Sequence, residues 1–259
     1  MVHASKHVVV TRGQDAISRE QAEGLAHNLG LTVVHDNSRQ HELSLGYEHG
    51  ILELRDGQTK PGHGIFVDFS TLHPHRAMQR GGLSRNQALA RAVGKDAVQV
   101  LDATAGLGHD AALLACMGYH VTAVERSPIL AALLADGLSR ALKDPELFSY
   151  FENRLRVVNT DARDFLQAES GKFDSIYIDP MFPPKRKTTA LAKKSIRLVR
   201  ALVGDDADAQ QLLEFARQQP VRIAVKRPTH AHPLAPGFVA TIASKLVRYD
   251  IYKGVSDTA

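Results

Sequence analysis

The segment V-Q-V-L-D-A-T-A-G-L-G-H-D, residues 98–110, is the most informative part of this sequence for its fold class. A short apolar strand pattern runs into an aspartate and then into Gly106 and Gly108. Glycine at these positions permits a tight turn and lets a ligand approach the backbone closely. A strand, a glycine turn and a helix in succession are typical of doubly wound α/β folds, which bind ligands at the carboxyl ends of their strands.

Strand and helix patterns alternate through the rest of the chain after this stretch, which predicts a parallel sheet covered on both faces. The predicted strands are Val98–Leu101, Val121–Val124, Leu155–Val158, Ser175–Ile178 and Val221–Val225, with helices near Leu191–Leu202 and Ala207–Gln218 before the last of them. The tail V-R-Y-D-I-Y, residues 247–252, alternates and predicts an antiparallel edge strand. We therefore expect a Rossmann-like α/β domain over residues 76–259.

The first 75 residues have a different pattern, with short strands and one helix. The predicted elements are strands at Val8–Val10, Leu31–Val34, Ile51–Arg55 and Ile65–Phe69, and a helix over Ser18–Leu29. We expect residues 1–75 to form a small N-terminal α+β domain, joined by the basic, glycine-containing segment that starts near residue 73.

Composition restricts the class of protein. The chain has 259 residues, 44% hydrophobic and 23% charged, with a net charge of +4. No apolar run is long enough to span a membrane, and charge interrupts the N-terminus too early for a signal peptide. The single cysteine, Cys116, excludes an intrachain disulfide, and the 13 histidines lack metal-binding spacing. We expect a cytoplasmic monomer with no metal site and a mild affinity for polyanions.

Carboxylates surround the glycine turn and predict the cofactor. Asp102 ends the first strand and Asp110 opens the following helix. A carboxylate here repels a pyrophosphate but can pair with the cationic amino group or sulfonium of S-adenosylmethionine. Glu125 follows Gly106 by 19 residues at the end of the second strand, where it can accept both ribose hydroxyls. Asp161, after the third strand, is predicted to accept the adenine amino group, and Arg126 and Ala162 to line the adenine pocket.

Other interpretations of these residues stay open at this point. G-L-G-H-D-A, residues 106–111, also matches the dinucleotide-binding pattern G-x-G-x-x-A. Asp161 after a strand is also typical of a helix cap or a turn. Asp102 in front of the glycines, together with the next motif, favours S-adenosylmethionine.

That motif is I-D-P-M-F-P-P, residues 178–184, which resembles the D-P-P-Y or N-P-P-F loop of amino methyltransferases. Methyl transfer to an exocyclic amine requires the nitrogen lone pair to be aimed at the methyl group. We expect Asp179 and the carbonyl of Pro180 to accept the two amino hydrogens, and Phe182 to stack on the base. The alternative is that D-P and P-P only mark turns.

Basic residues follow this loop and also occur before the glycine turn. We expect a phosphate-binding rim that contacts RNA. Its candidate members are Arg76, Arg80, Lys185, Lys187, Lys193, Arg197, Lys226 and Arg227. For any one of them, a solvated helix face is the alternative. Arg85 and Arg91 are further candidates on the same grounds.

These motifs together resemble the RsmJ family, ribosomal RNA small-subunit methyltransferase J, from about residue 47 to the C-terminus. The matching segments are G-I-F-V-D-F at 64–69, H-R at 75–76, G-G at 81–82, D-A-T-A-G-L-G-H-D at 102–110, E-R-S-P-I-L-A-A-L-L-A-D-G-L at 125–138, D-P-M-F-P at 179–183 and V-K-R-P at 225–228. The resemblance implies a class I methyltransferase that uses S-adenosylmethionine to methylate the N2 amino group of one guanosine in 16S ribosomal RNA, acting on that RNA or on the small ribosomal subunit. It also implies cofactor contacts, from His109, Asp110, Glu125, Arg126, Asp161, Ala162 and Asp179.

Three alternatives remain for the function. The D-P-x-F loop also serves enzymes that methylate the amino group of adenine or cytosine in DNA or another RNA. The glycine turn is compatible with an NAD-dependent oxidoreductase. A non-catalytic RNA-binding assembly factor could keep the same fold. Methyl transfer that depends on Asp179 separates our interpretation from the last two.

Overall fold

The structure, a computed structural model, describes residues 8–12, 16–34, 41–180, 190–204 and 208–255. The side chains of residues 16, 17 and 190–196 lie outside that description. The chain divides into two compact units. Of the described residues, the small unit contains 8–12, 16–34, 41–67 and 190–204, and the large unit contains 68–180 and 208–255.

The described elements have the following bounds. The strands are β1 Val8–Thr11, β2 Thr32–Val34, β3 Leu43–Glu48, β4 Ile51–Asp56, β5 Gln99–Asp102, β6 His120–Glu125, β7 Leu155–Asn159, β8 Ser175–Ile178, β9 Arg222–Pro228, β10 Ala240–Ala243 and β11 Val247–Lys253. The helices are α1 Ala16–Leu29, α2 Pro74–Gln79, α3 Ala88–Val93, α4 His109–Cys116, α5 Pro128–Ala141, α6 Phe148–Phe151, α7 Ala162–Ala168, α8 Ala190–Val203 and α9 Ala209–Ala216. None of the described helices combines the length and the apolar character that a membrane span requires.

In the described part of the small unit, four strands form a sheet in the order β2-β1-β3-β4, against which α1 packs. Strand β3 was not among the predicted strands, although Leu43, Leu45 and Tyr47 alternate with non-apolar residues, because it contains Gly46 and glycine is depleted in strands. Gly46 is required there, since a Cβ at this position would collide with the buried side chains of Arg55 and Thr11. The α+β character of this unit is as predicted.

The predicted strand at Ile65–Phe69 is wrong. Ile65 forms only an isolated bridge to Leu54, and Phe69 begins a 3₁₀ helix that ends at Leu72. Asp68 caps that helix by accepting a hydrogen bond from the backbone nitrogen of Ser70 at 3.0 Å. An aspartate that bonds the backbone two residues on favours a turn over a continued strand.

The described large unit contains a seven-stranded sheet in the order β10-β11-β9-β8-β5-β6-β7. The strands from β9 to β7 are parallel, β11 pairs with β9 in antiparallel fashion, and β10 pairs with β11 in the same way. The chain leaves β5 toward β6 on one side and returns to β8 on the other. This topological switch point opens a crevice at the carboxyl ends of β5 and β8, where doubly wound folds bind ligands.

Local signals account for the elements beside this crevice. Ser127 caps α5 by accepting a hydrogen bond from Leu130 N at 3.4 Å, with Pro128 at the first helical position, as predicted. Side chains alternate along β8, so Ile176 and Ile178 pack in the apolar core with α7 and α9. Tyr177 therefore faces the opposite side of the sheet.

Two sequence predictions about this architecture require correction. Strand β11 is antiparallel as expected, but it is not the edge strand, because β10 pairs with its outer side. The predicted domain boundary at residue 75 also differs from the division into two units that the structure shows. Residues 68–75 belong to the large unit, and α8, which we had assigned to the methyltransferase domain, packs on β4 in the small unit. A crossing of the chain back to an earlier unit leaves no local signal in the sequence.

Candidate active site

Gly106 and Gly108 form the turn between β5 and α4. Both have left-handed backbone conformations, with φ of 55° and 76°. A Cβ at Gly108 would collide with Leu134 on α5, whereas the space beside Gly106 is open. Gly108 is therefore required for packing, while Gly106 leaves the backbone of the turn accessible at the carboxyl edge of the sheet.

Glu125, at the end of β6, binds this turn. Its Oε2 accepts a hydrogen bond from Gly106 N at 2.8 Å, and its Oε1 accepts one from Ser127 N at 2.7 Å. The side chain of Asn159 donates to the backbone carbonyl of Glu125 at 2.7 Å, which adds support from β7. A carboxylate has about four lone-pair sites, so one residue can hold the turn and accept ribose hydroxyls in the same arrangement.

Asp102 lies beneath the turn and is 2% exposed. Its Oδ1 accepts a hydrogen bond from Thr104 N at 3.1 Å. Burial raises the pKa of Asp102 well above its usual value, and the charges of Asp110 and Asp179 raise it further. Thr104 in turn accepts a hydrogen bond from Asp179 N at 2.7 Å. Asp102 thus shapes the turn from inside, and Thr104 joins the glycine turn to the loop after β8.

Asp110, Asp179 and Lys226 meet at the switch point. The Nζ of Lys226 lies 2.6 Å from Asp110 Oδ2 and 2.9 Å from Asp179 Oδ2. The hydroxyl of Tyr177 donates to the same Asp110 oxygen at 2.6 Å. Helix α4 and strands β8 and β9 therefore each contribute to one polar cluster, which we call the switch-point cluster: Asp110, Tyr177, Asp179 and Lys226.

Charges in this cluster support one another. Burial works to raise the pKa of Asp110, but the charge and hydrogen bond of Lys226, with the Tyr177 hydroxyl, lower it below its usual value. Burial would lower the pKa of Lys226, yet the charges of Asp179 and Asp110 raise it above its usual value. Burial raises the pKa of Tyr177, so its hydroxyl stays a donor. With both carboxylates ionised, the cluster carries one net negative charge.

The residues expected around adenine form a second charged group. Asp161 caps α7, and its carboxylate accepts hydrogen bonds from Arg163 N, Nε and Nη2 at 2.7–2.9 Å. Arg126 donates to both carboxylate oxygens of Asp208, at 2.9 and 2.8 Å. Arg163 also lies 3.4 Å from Asp208. Asp161 is therefore a helix cap, as the alternative interpretation predicted, and a contact with adenine would be a second role.

The other cofactor candidates lie near this edge of the sheet. His109 is exposed at the first position of α4, directly after the glycine turn. Ala162 is buried at the first position of α7. Pro180 is buried directly after Asp179. Phe182 lies outside the described residues.

The basic candidates separate into different environments. Arg76 and Arg80 are exposed, in and just after α2. Arg197, on α8, pairs with Asp56 within the small unit at 2.7 Å. Lys226 points into the switch-point cluster, not onto a rim. Lys185 and Lys187, as well as the side chain of Lys193, lie outside the described residues.

Two arginines considered for the rim hold loops instead. Arg227 is 8% exposed and donates through Nε and Nη2 to the carbonyl of His232, at 2.9 and 2.6 Å. Arg85 donates to the carbonyls of Met117 and Gly118, and its guanidinium lies 4.2 Å from the centre of the Tyr119 ring. An arginine used in this way is turned away from phosphate, which a local charge pattern does not reveal.

Sequence reasoning missed three residues that the geometry brings to the site: Thr104, Tyr177 and Asp208. Thr104 had a detectable signal, because it lies between the aspartate and the glycines of the first motif. Tyr177 was read only as part of an apolar strand. Asp208 had no signal, since it is 82 residues from its partner Arg126. Among the described residues, no group of three or more His, Cys, Asp or Glu side chains is arranged to hold a metal ion.

Comparisons with known proteins identify the family of the chain. The profile of a SAM-dependent methyltransferase family matches residues 24–254. This match begins before residue 47, where the resemblance of the motifs starts. Ribosomal RNA small subunit methyltransferase J from Cronobacter sakazakii is 43% identical over 238 residues, 89% of this chain and 92% of that protein. The protein of that name from Escherichia coli O1:K1 is 43% identical, covering 85% and 88%.

Solved structures agree as well. The crystal structure of a SAM-dependent methyltransferase from Neisseria gonorrhoeae matches with a TM-score of 0.71 and 29% identity, over 95% of each chain. Fold, motifs and relatives support the same conclusion, and they exclude the NAD-dependent oxidoreductase. The chain belongs to the ribosomal RNA small subunit methyltransferase J family of S-adenosylmethionine-dependent methyltransferases.

Proposed function

We propose that this chain transfers a methyl group from S-adenosylmethionine to the N2 amino group of one guanosine in small-subunit (16S) ribosomal RNA. The observation that carries the proposal is the position of Asp179 at the switch point, joined to the glycine turn through Thr104. The names of the relatives support ribosomal RNA as the substrate. The target nucleotide rests on the family resemblance.

The residues present fit the cofactor. Glu125 offers a carboxylate at the end of β6 for the ribose hydroxyls, and it already fixes the turn that faces them. The switch-point cluster, with one net negative charge, suits the cationic end of S-adenosylmethionine. The same charge opposes a pyrophosphate at the start of α4, because Asp110 stands in the first turn of that helix. When bound, S-adenosylmethionine supplies an electrophilic methyl group.

Asp179 and Pro180 would position the base. Lys226 contacts Asp179 Oδ2, so Oδ1 would accept the first amino hydrogen. The carbonyl of Pro180 accepts the second amino hydrogen, so the nitrogen lone pair is directed out of the plane of the base toward the methyl group. The nitrogen loses one proton as the new bond forms, and Asp179 is placed to accept it. Positioning of this kind supplies most of the rate, without a strong general base.

Exposed basic side chains would contact the RNA. Arg76, Arg80 and Arg91 are the described candidates whose side chains are exposed in the large unit. A net charge of +4 supports contact with a polyanion. We further propose that the protein acts as a monomer in the cytoplasm, on ribosomal RNA or the small subunit, with Lys185, Lys187, Lys193 and Arg197 as additional contacts.

The test is transfer of a labelled methyl group from S-adenosylmethionine to small-subunit particles from a strain that lacks this enzyme, followed by nucleoside analysis. We expect label in N2-methylguanosine, at one site. Label in adenosine or cytidine would overturn the assignment of the base, in favour of another amino methyltransferase. An absence of label on particles, naked ribosomal RNA and DNA would overturn the proposed activity and favour a non-catalytic assembly factor.

A further inference from the structure

Lys226 makes contacts that a rim lysine would not make. Its Nζ lies within hydrogen-bond distance of Asp110 Oδ2 and Asp179 Oδ2, which are 116 and 47 residues away in sequence. The lysine side chain is 23% exposed, and those of Asp110 and Asp179 are 15% and 33% exposed. It therefore bridges two elements of the site from the floor of the crevice.

The bridge is anchored on both sides. Tyr177 is fully buried and donates to the same oxygen of Asp110 that Lys226 contacts, so Asp110 is held from two directions. Asp179 is likewise held at two points, since its backbone nitrogen donates to Thr104 Oγ1 while its Oδ2 contacts Lys226. With backbone and one carboxylate oxygen both fixed, the direction of the second carboxylate oxygen is fixed as well.

Electrostatics explain why this bridge needs a cation. Asp110 and Asp179 contact the same ammonium group, so without that group two carboxylates would face each other in a partly buried site. Two carboxylates this close together in a partly buried site repel each other strongly. The side chain of Asp179, which is the more exposed of the two, would then turn away from Asp110. Because the pKa of Lys226 is raised, the amine keeps its proton and does not act as a base.

We propose that Lys226 is a positioning residue, which aims the carboxylate of Asp179 at the target amino group by bridging it to Asp110. This inference rests on the proposed function of Asp179. It replaces the expected contact between Lys226 and RNA phosphate. Lys226 acts through Asp179 and touches neither the reacting nitrogen nor the methyl group.

The test compares Lys226→Met, which removes the charge at similar length, with Lys226→Arg, which keeps it. Lys253→Met is the matched control, since Lys253 is exposed at the far end of the same sheet region. The measured quantities are kcat and KM for RNA, the Kd for S-adenosylmethionine and the thermal midpoint. We expect Lys226→Met to lower kcat by about a hundredfold, as a displacement of roughly 1 Å does elsewhere, with KM for RNA within about threefold.

Further expected results separate positioning from a general loss of structure. Lys226→Arg should recover at least about tenfold of the lost kcat, and Lys253→Met should leave kcat unchanged. Loss of the lysine charge makes the site more negative, which favours binding of the cationic cofactor. The Kd for S-adenosylmethionine should therefore not rise more than about threefold in Lys226→Met. In an Asp179→Asn background, Lys226→Met should cost little more, since the two residues act as one unit.

Three results would overturn the inference. The first is an unchanged kcat in Lys226→Met. The second is a raised KM for RNA at constant kcat, which would restore the phosphate contact. The third is an additive loss in the double variant; this comparison holds even if Lys226→Met lowers stability. The identity of the nucleoside that the wild-type enzyme methylates tests the proposed function. The role of Lys226 is tested separately, because the ratio of variant to wild-type kcat can be measured on whichever base is methylated.

Discussion

The carboxylate of Glu125 accepts a hydrogen bond from the backbone nitrogen of Gly106 at 2.8 Å, and so joins the two halves of the cofactor motif across 19 residues. The same side chain is 7% exposed and also accepts from Ser127 N, at the start of α5. The residue expected to hold the ribose therefore also fixes the turn in front of it. Cofactor affinity and local structure are coupled at this position.

Glu125→Gln is predicted to weaken binding of S-adenosylmethionine by about tenfold to a hundredfold. The amide keeps the size of the side chain, but its NH2 group would face a backbone N–H of Gly106 or Ser127, and an unsatisfied donor costs about 1–3 kcal/mol. Calorimetric titration of the cofactor measures the change. Asp96→Asn is the control, because Asp96 is exposed in the loop before β5, and should bind normally. An unchanged affinity in Glu125→Gln would contradict the ribose assignment.

Asp179→Asn is predicted to lower kcat by at least about a hundredfold, with a smaller effect on KM for RNA. The amide loses the charge that Lys226 contacts, and it has only one acceptor oxygen for two partners. If that oxygen faces the substrate amino group, the NH2 group of the amide faces the ammonium of Lys226, which is also a donor. Single-turnover methyl transfer to small-subunit RNA measures the chemical step directly. Methyl transfer at the wild-type rate would show that Asp179 does not position the amine.

Asp161→Ala and Asp161→Ser separate the two roles of this residue. Serine can still accept the hydrogen bond from Arg163 N that caps α7, whereas alanine cannot, so alanine should lower the free energy of unfolding by about 1 kcal/mol relative to serine. If Asp161 also accepts the adenine amino group, both variants should bind S-adenosylmethionine several-fold more weakly. A stability loss in alanine with normal affinity in both variants would leave the helix cap as its role.

Asp102→Asn is predicted to change the pH dependence of stability. Burial raises the folded-state pKa of Asp102 above 3.8, so over the range between that value and the raised one the unfolded chain binds fewer protons than the folded chain. Stability from this group is full below pH 3.8 and falls as the pH rises through the folded-state pKa. The stability of Asp102→Asn relative to wild type should therefore rise with pH. Urea unfolding at several pH values measures this, and an opposite slope would contradict it.

Alanine variants of three glycines are predicted to lose different amounts of stability. Gly171 has φ of 77° in open space, so Gly171→Ala should show only the backbone cost, about 1–2 kcal/mol. Gly108→Ala should cost more, because its Cβ would also collide with Leu134. Gly106→Ala should resemble Gly171→Ala in stability but should weaken cofactor binding. Equal stability of all three variants in urea would contradict the packing role of Gly108.

Local patterns were sufficient for much of the large unit. The strand at Ser175–Ile178 was predicted with its observed bounds, and the Ser127 cap with Pro128 behind it was confirmed. These elements depend on side-chain period and on hydrogen bonds within a few residues. Strands β3 and β10 were not predicted, because they depend on contacts with residues outside their own segments. Gly46 in β3 is explained only by Arg55 and Thr11, and β10 is mostly exposed and exists because β11 pairs with it.

Short-range patterns were enough to predict the parallel α/β architecture, the glycine turn, Glu125 at the end of the second predicted strand and Asp179 after the fourth. Each of these follows from short-range periodicity together with the rule that the carboxyl ends of parallel strands meet at one edge. The partner of each charged side chain, in contrast, depends on the tertiary structure. It turned Lys226 inward to Asp110 and Asp179, gave Arg163 to Asp161 and placed α8 on the small unit. Such pairings depend on which distant segments fold together, and a local charge pattern is the same whether its residues face water or a carboxylate.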